Sequence, residues 1–507
     1  MQPADARQSS SRALLFCGIA AALTLLVLIP YRIYEGGYLT HVSGAWGVLA
    51  DDVAHGVLYR PLFSEIGYGG TRYFPLHFLL QGLLHAIGVP LRMAGHSLEL
   101  AAGALLLYGA KLALKESGVS TRVAWTGAFL GLASRTAVMG LAGIRGDLFP
   151  VALGVLGLAL IPRDGRLRAS AVLFLALAVF AKPTLVWAPA GAVLAALGRR
   201  SLRQAVVWGA SVGGLIGLLL LLANLASHGE MLRSFKACAG GGGASLSNLA
   251  TGLALTRPGE MLWVLGGVAL TLRRGLKAVS EPLCAAGLVC LPLTLVLLSG
   301  KGIHINHLVD ASSLGALAVA LAVATPSDWQ RPARWLMAAA TTLALAEVWL
   351  LDGMLHRHGE LESVVAALPT TGGPILSEQP WIPLVAGERP YVLDAFALRL
   401  TRRTLPALDH DLLDKTASCY FRAVVLIGRA EKAPEWYDTV EFGPGFREAL
   451  LEHYRFSRVV GGYPVYLPHC PGSPAIVDDP GPDLETIMDR GSRPSRIRPL
   501  LDKLLHH

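Results

Sequence analysis

The sequence predicts an α-helical polytopic membrane protein of about eleven transmembrane helices, with a small extracytoplasmic α/β domain towards its C-terminal end. Three observations carry this prediction. Hydrophobic residues fill 53% of the 507 positions and charged residues only 16%, with a mean hydropathy of +0.49, a balance beyond that of ordinary soluble domains. Apolar runs of spanning length recur from residue 13 to about 351, and the Lys and Arg between them gather in alternate loops, as cytoplasmic loops do. From about His356 the apolar runs shorten to strand length and alternate with helical patterns. The net charge of +8 is spread over short loops, so it sets orientation in a membrane. Membrane lipids are expected partners, and nucleic acid is not.

Arg7 and Arg12 precede the first apolar run, residues 13–30, which is close to the roughly 20 residues that cross a hydrocarbon core. Their charge places the N-terminus in the cytoplasm. Ile29-Pro30-Tyr31-Arg32 lacks a small-residue cleavage pattern, so the run is expected to remain as an anchor. A first outer loop follows over residues 31–95. Within it, residues 74–88 are apolar but short, and are expected to lie on the outer face as an interfacial helix.

Further spans are predicted at 97–114, 123–141, 148–161, 169–181, 185–197, 205–225, 261–272, 282–298, 308–324 and 336–351, with a long outer loop at 227–256. The clusters Lys111/Lys115/Arg122, Arg163/Arg166/Arg168, Arg199/Arg200/Arg203, Arg273/Arg274/Lys277 and Arg331/Arg334 then all face the cytoplasm. Counting 74–88 as a crossing would put them outside, which the positive-inside rule opposes.

The membrane domain is thus expected over 1–355 and the α/β domain over 356–470. In the latter, strands are predicted at 374–377, 391–394 and 422–427 and a helix at 446–454. The remainder, 471–507, is rich in Pro, Asp, Gly and Arg and is expected to be disordered. The six cysteines show no metal-like spacing. Cys419 and Cys470 would share an oxidising compartment and could pair.

Under this topology the unusual polar residues converge. Glu35, Asp51, Asp52, Arg72, Arg145, Asp147, Lys182, Lys301, His304, Asn306, His307 and Asp310 all fall at outer helix ends or in outer loops. Any one of them alone is more often a surface or packing residue, and Lys182 could simply snorkel beside Pro183. Glu35, where the first span leaves the bilayer, is either a solvated loop acid or a carboxylate facing protein, water or substrate. Asp51 and Asp52 read as solvated loop acids. Together the group is a mixed acidic and basic cluster at one membrane face. Carboxylates can draw a proton from a hydroxyl, and Lys, Arg and His can neutralise a phosphate. Such a site suits a substrate whose phosphate is attached to a lipid. No cofactor is called for, and a divalent metal is left open.

The same residues resemble motifs of the C-type (GT-C) membrane glycosyltransferases, near the protein-mannosyltransferase and lipid A aminoarabinose-transferase group. Tyr34-Glu35-Gly36-Gly37-Tyr38 resembles that group's Asp-Glu-x-x-Tyr after the first helix. Leu58-Tyr59-Arg60-Pro61 and Arg72-Tyr73-Phe74-Pro75-Leu76 resemble the aromatic, proline-rich end of its first loop. Arg145-Gly146-Asp147 resembles its Arg-x-Asp, and Ala181-Lys182-Pro183-Thr184 its Thr-Lys-x-Thr. Asn306-His307-Leu308-Val309-Asp310 resembles an Asn-Tyr-x-x-Glu stretch of bacterial relatives. The likeness runs over roughly residues 13–470 in matching order. The sequence departs from the pattern in two places: Tyr34 stands where the group has Asp, and Phe74-Pro75 where aminoarabinose transferases have Glu-Lys-Pro.

The resemblance implies a GT-C-like fold and an integral-membrane hexosyl or pentosyl transferase of a bacterial inner membrane, with a periplasmic C-terminal domain. It implies transfer from a polyprenyl-phosphate-linked sugar donor to a lipid, glycan or protein acceptor on the outer side. Glu35 and Asp147 would be the catalytic acids. Arg72, Tyr73, Arg145, Lys182, His304, Asn306 and His307 would bind substrate. The rival class is a transporter or flippase of a lipid-linked or small polar substrate. Transporters place ionisable residues near the bilayer midplane, often within internal repeats; here no repeat is evident and the charges lie at one face.

Overall fold

A computed structural model of the chain describes residues 3–36, 39–116, 118–162, 164–238, 243–300, 305–325, 327–350, 361–405 and 409–470. Its membrane region opens with helix α1 (Pro3–Glu35). The first loop then folds as α2 (His41–Ala54), a two-stranded antiparallel ribbon of β1 (Phe63–Ser64) and β2 (Gly67–Tyr68), and α3 (Leu76–Ala86), which packs on α2. Helix α3 turns His77, Phe78, Gln81 and Gly82 inwards and leaves Leu83 exposed, the two-faced pattern of an interfacial helix.

Next come α4 (Leu91–Glu116), α5 (Thr121–Ala128) and α6 (Arg135–Ala142). The third expected span is therefore broken between α5 and α6. Ser134 ends the break by accepting from Ala137 N. The freed backbone groups find side-chain partners: Trp263 Nε1 donates to Ala133 O at 2.9 Å, Ser313 Oγ to Gly131 O at 2.8 Å, and Glu260 Oε1 accepts from Thr136 N at 2.8 Å. Irregular backbone inside a bilayer needs this kind of satisfaction.

The series continues with α7 (Leu148–Ala159), α8 (Ala169–Ala181), α9 (Trp187–Gly198), α10 (Leu202–Ala226), α11 (Glu230–Cys238), α12 (Leu246–Leu255), α13 (Pro258–Arg273), α14 (Leu276–Val279), α15 (Pro282–Leu298), α16 (Leu308–Ala324) and α17 (Gln330–Leu350). Helix α7 carries no polar side chain and is buried from Leu148 to Leu158; α4, α8 and α9 pack around it. Small residues set the close approaches, as in other membrane bundles. A Cβ on Gly267 would stand 2.5 Å from the Gly315 backbone, and one on Gly191 the same distance from Ala286 Cβ.

A helix lies over each expected span. Four are both long and apolar enough to cross a membrane alone: Gln8–Tyr34, Leu91–Glu116, Leu202–Ala226 and Ile305–Ala324. The expected long outer loop at 227–256 is not plain loop, since it holds α11 and α12.

The C-terminal region has a four-stranded sheet in the order β3-β4-β6-β5, built from β3 (Ile375–Ser377), β4 (Ala423–Val425), β5 (Tyr454–Val460) and β6 (Tyr463–Pro468). β3 and β4 are parallel, and the other pairings are antiparallel. Residues 391–394, expected as a strand, do not join this sheet. Val392 bridges to Tyr68 of the first loop instead, and Asp394 caps α18 (Ala395–Thr404) by accepting from Phe396 N and Ala397 N. Cys419 and Cys470 are disulfide-bonded. The expected disordered segment 471–507 lies outside the described residues.

The first loop clamps this region onto the bundle. Arg60 donates Nη1 to Pro390 O at 2.8 Å, Gln379 Nε2 to Leu39 O at 2.9 Å, and Trp381 Nε1 to Ser43 Oγ at 3.2 Å. Asp52 belongs to this clamp and is not a solvated acid. It is 1% exposed and takes Arg60 in a bidentate pair, Nε to Oδ2 at 2.6 Å and Nη2 to Oδ1 at 2.9 Å. Two parallel charge-assisted bonds of this kind fix geometry as well as charge.

Candidate active site

Three helix ends meet beneath the first loop. The first is the turn before α7. Gly143 ends α6 in extended backbone, and Gly146 takes φ +60°, a conformation in which a side chain is disfavoured. A Cβ there would also stand 2.7 Å from Trp46 Cζ2. Arg145 and Asp147 flank this glycine, 4% and 6% exposed. The second end is that of α8. Pro183 disfavours helical backbone in the residue before it, and Lys182 is accordingly extended at φ −156°, ψ 122°. The third is the 3₁₀ turn Ile305–His307 that leads into α16.

Asp147 sits at the centre. Its Oδ1 accepts from Lys182 Nζ at 2.8 Å, and Asn306 Nδ2 lies 2.9 Å from each of its oxygens. Arg145 Nε adds a longer contact to Oδ2 at 3.4 Å. The carboxylate also stands at the start of α7, where the helix dipole favours negative charge. Burial alone would raise its pKa, but the Lys182 and Arg145 charges outweigh that and hold it below the usual carboxylate range. Lys182 mirrors it: burial favours the neutral amine, Asp147 opposes this, and the balance keeps the amine charged. The centre is a buried set in which one carboxylate is held between two cations and a neutral amide.

A layer of polar groups holds the Arg145–Asp147 turn. Glu99, fully buried on α4, accepts through Oε1 from Arg145 N at 3.2 Å and Gly146 N at 2.8 Å, with His77 Nε2 3.1 Å away. Trp46 stacks on Tyr73 at 4.5 Å between centroids and meets His77 edge-on at 5.0 Å. Deeper in α16, Asp310 Oδ2 accepts from Trp187 Nε1 at 2.9 Å.

The structure therefore brings Arg145, Asp147, Lys182 and Asn306 into contact, with His307 on the same turn as Asn306. Tyr73 reaches the group through Trp46. Arg72 points to the C-terminal region, its Cζ 4.3 Å from the Phe396 ring centroid. Glu35 closes α1, but its side chain lies outside the described residues, as does His304. Sequence reasoning missed Glu99 and His77. Glu99 had a signal: it is an ionisable residue inside an apolar run, where such residues are rare. Asp51 and Asp52 gave no sign of differing, yet only Asp52 is locked to an arginine. Among the described residues no group of three or more His, Cys, Asp or Glu could hold a metal ion.

No family model matches the chain, and no curated protein matches it by sequence. Solved structures do. The crystal structure of ArnT from Cupriavidus metallidurans bound to undecaprenyl phosphate aligns at TM-score 0.52 and 10% identity, over 88% of this chain and 97% of that one. The Archaeoglobus fulgidus oligosaccharyltransferase complex with zinc and sulfate aligns at TM-score 0.46 and 14% identity, over 90% of this chain and 73% of that one. The first likeness shows that the chain shares the fold of that structure, a mostly helical region with a small C-terminal sheet region.

Proposed function

We propose that this chain is a membrane glycosyltransferase that moves a sugar from a polyprenyl-phosphate carrier to an acceptor at the outer membrane face. The observation that carries the reading is the Asp147 centre, a buried carboxylate held by Lys182, Asn306 and Arg145 at the ends of three apolar helices on a GT-C fold. The eleven-span topology goes with it, the N-terminus cytoplasmic and the C-terminal region periplasmic, in a bacterial inner membrane. The Cys419–Cys470 disulfide supports the oxidising side for that region.

In the proposed reaction the acceptor's nucleophilic group attacks the anomeric carbon, the bond to the carrier phosphate breaks, and a proton leaves the acceptor. Positive charge builds on the sugar ring and negative charge on the departing phosphate. Glu35 takes the proton as general base. Asp147 stays ionised and fixes Lys182 and Asn306, whose donors, with Arg145 and His307, face the reacting groups. Arg72, Tyr73 and His304 complete the substrate-binding set.

The test is turnover of the purified full chain in nanodiscs with a panel of radiolabelled polyprenyl-phosphate sugars and a total envelope extract as acceptor. Wild type should transfer label from at least one donor. Asp147→Asn should lower that transfer about 100-fold or more, the scale of losing one preorganised polar group, while still binding polyprenyl phosphate. No transfer from any donor, with movement of the intact lipid between leaflets, would replace the transferase by the transporter reading.

A further inference from the structure

Positive charge is unevenly answered around the site. Lys182 and Arg145 both form ion pairs with Asp147, one carboxylate between two cations. Arg72 and Arg399 are different. Arg399 Cζ lies 4.8 Å from the centroid of the same Phe396 ring that Arg72 covers at 4.3 Å. Neither guanidinium forms an ion pair or hydrogen bond with any described residue, and Nε and Nη2 of Arg399 are buried without a partner. Unmet guanidinium donors and two like charges on one ring both cost stability in a protein interior.

Glu441 acts electrostatically on both arginines and Asp394 on Arg72, but among the described residues neither carboxylate forms an ion pair or hydrogen bond with either guanidinium. Asp394 spends its Oδ1 on capping α18, and burial raises its pKa; burial, with Glu378 and Asp394 close by, raises Glu441 further. The position of the pair is informative. Arg72 ends the first loop, and the next residue, Tyr73, stacks on Trp46, against which Gly146 is packed. Arg399 and Phe396 belong to α18 on the C-terminal side. One arginine thus comes from each region, at their junction, one aromatic stack from Asp147.

We propose that Arg72 and Arg399, held over the ring of Phe396, form a phosphate-binding subsite built jointly by the first loop and the C-terminal region. Guanidinium forks match phosphate oxygens in pairs, and the ring supports the cations by cation–π attraction without supplying a competing anion. What the phosphate is attached to, carrier lipid or acceptor, rests on the transferase reading; the existence of the subsite does not.

Binding is therefore measured without turnover, in the full chain in nanodiscs. One arm titrates undecaprenyl phosphate, and the other titrates inorganic phosphate at saturating undecaprenyl phosphate. Arg399→Gln and Arg72→Gln should each weaken one of these probes about 10-fold or more, the scale of a hydrogen bond to a charged group, and Arg399→Lys should recover part of the loss. Arg403→Gln, an exposed charge on the same helix, should stay within about twofold of wild type. Loss in the lipid arm assigns the subsite to the carrier phosphate. Loss confined to the inorganic arm assigns it to a second phosphate. Unchanged affinity in both arms, in Arg399→Gln and Arg72→Gln proteins that unfold like wild type, overturns the subsite. If these losses occur while wild type transfers no sugar, the transferase reading falls and the subsite stands.

Discussion

Removal of Lys182 tests whether Lys182 and Asp147 act as a buried ion pair. In wild type, Asp147 has two oxygens and four contacts: Lys182 at 2.8 Å, Asn306 at 2.9 Å to each oxygen, and Arg145 at 3.4 Å. Lys182→Met keeps the chain's bulk and deletes the shortest charged contact. The carboxylate is then left buried with a neutral amide and one long arginine contact. Breaking a buried ion pair from one side costs about 3–5 kcal/mol, so both Lys182→Met and Asp147→Asn should unfold at clearly lower temperature than wild type. The double variant leaves no bare charge at either position. Its loss should fall short of the summed single losses by about 2 kcal/mol, within the range of coupling for contacting residues. The assay is denaturant-assisted unfolding in detergent for wild type, both singles and the double, with sugar transfer measured alongside. All three variants should lose transfer, because a restored charge balance does not restore the donor amine. Effects that add to within about 0.5 kcal/mol, as independent sites do, would refute the pairing. A Lys182→Met protein with wild-type stability would refute it too, and would make Lys182 a snorkelling residue.

The turn before α7 should not tolerate a side chain at Gly146. Gly146→Ala places a Cβ 2.7 Å from Trp46 Cζ2 at φ +60°; transfer should fall at least about 10-fold, since displacement of a catalytic group by about 1 Å can cost more than that, and adding Trp46→Leu should recover part of it. No loss in Gly146→Ala would mean the turn does not set the Asp147 position. In the C-terminal region, Glu441 is 2% exposed and burial raises its pKa, Glu378 and Asp394 adding to the rise while Arg399 and Arg72 oppose it. A carboxyl raised in the folded state stabilises the fold below its unfolded pKa, and loses that contribution as pH climbs through the folded value. Glu441→Gln should therefore unfold at higher temperature than wild type at pH 8, with the gap closing towards pH 5; an unchanged gap across that interval would show that Glu441 is ionised throughout.

The centre was legible from sequence because its parts sit at helix ends that topology alone collects. Arg145-Gly146-Asp147 follows one apolar run and Lys182-Pro183 another, and Asn306 opens a third; alternation of basic loops puts all three ends on one face. Asp147 and Asn306 are 159 positions apart and still meet. Partnership was not legible. Asp51 and Asp52 are chemically alike and adjacent, but α2 turns only Asp52 towards Arg60. Lys182 reads as a free phosphate ligand until Asp147 is seen to hold it. The β5–β6 hairpin carries a turn signal, Gly461-Gly462 between strand-like runs, although no strand is expected beyond the helix at 446–454. Arg399 had no signal at all, since nothing in a polar, amphipathic helix marks the one arginine that shares a ring with a residue from the first loop. The same difference separates the two kinds of cation at this site. Those that pair with Asp147 are marked by motif and order, and those whose guanidinium groups form no ion pair among the described residues are marked only by geometry. Guanidinium donors left unbonded at a junction between two regions can recognise a ligand, whereas a cation held in an ion pair at a helix end mainly holds the junction in place.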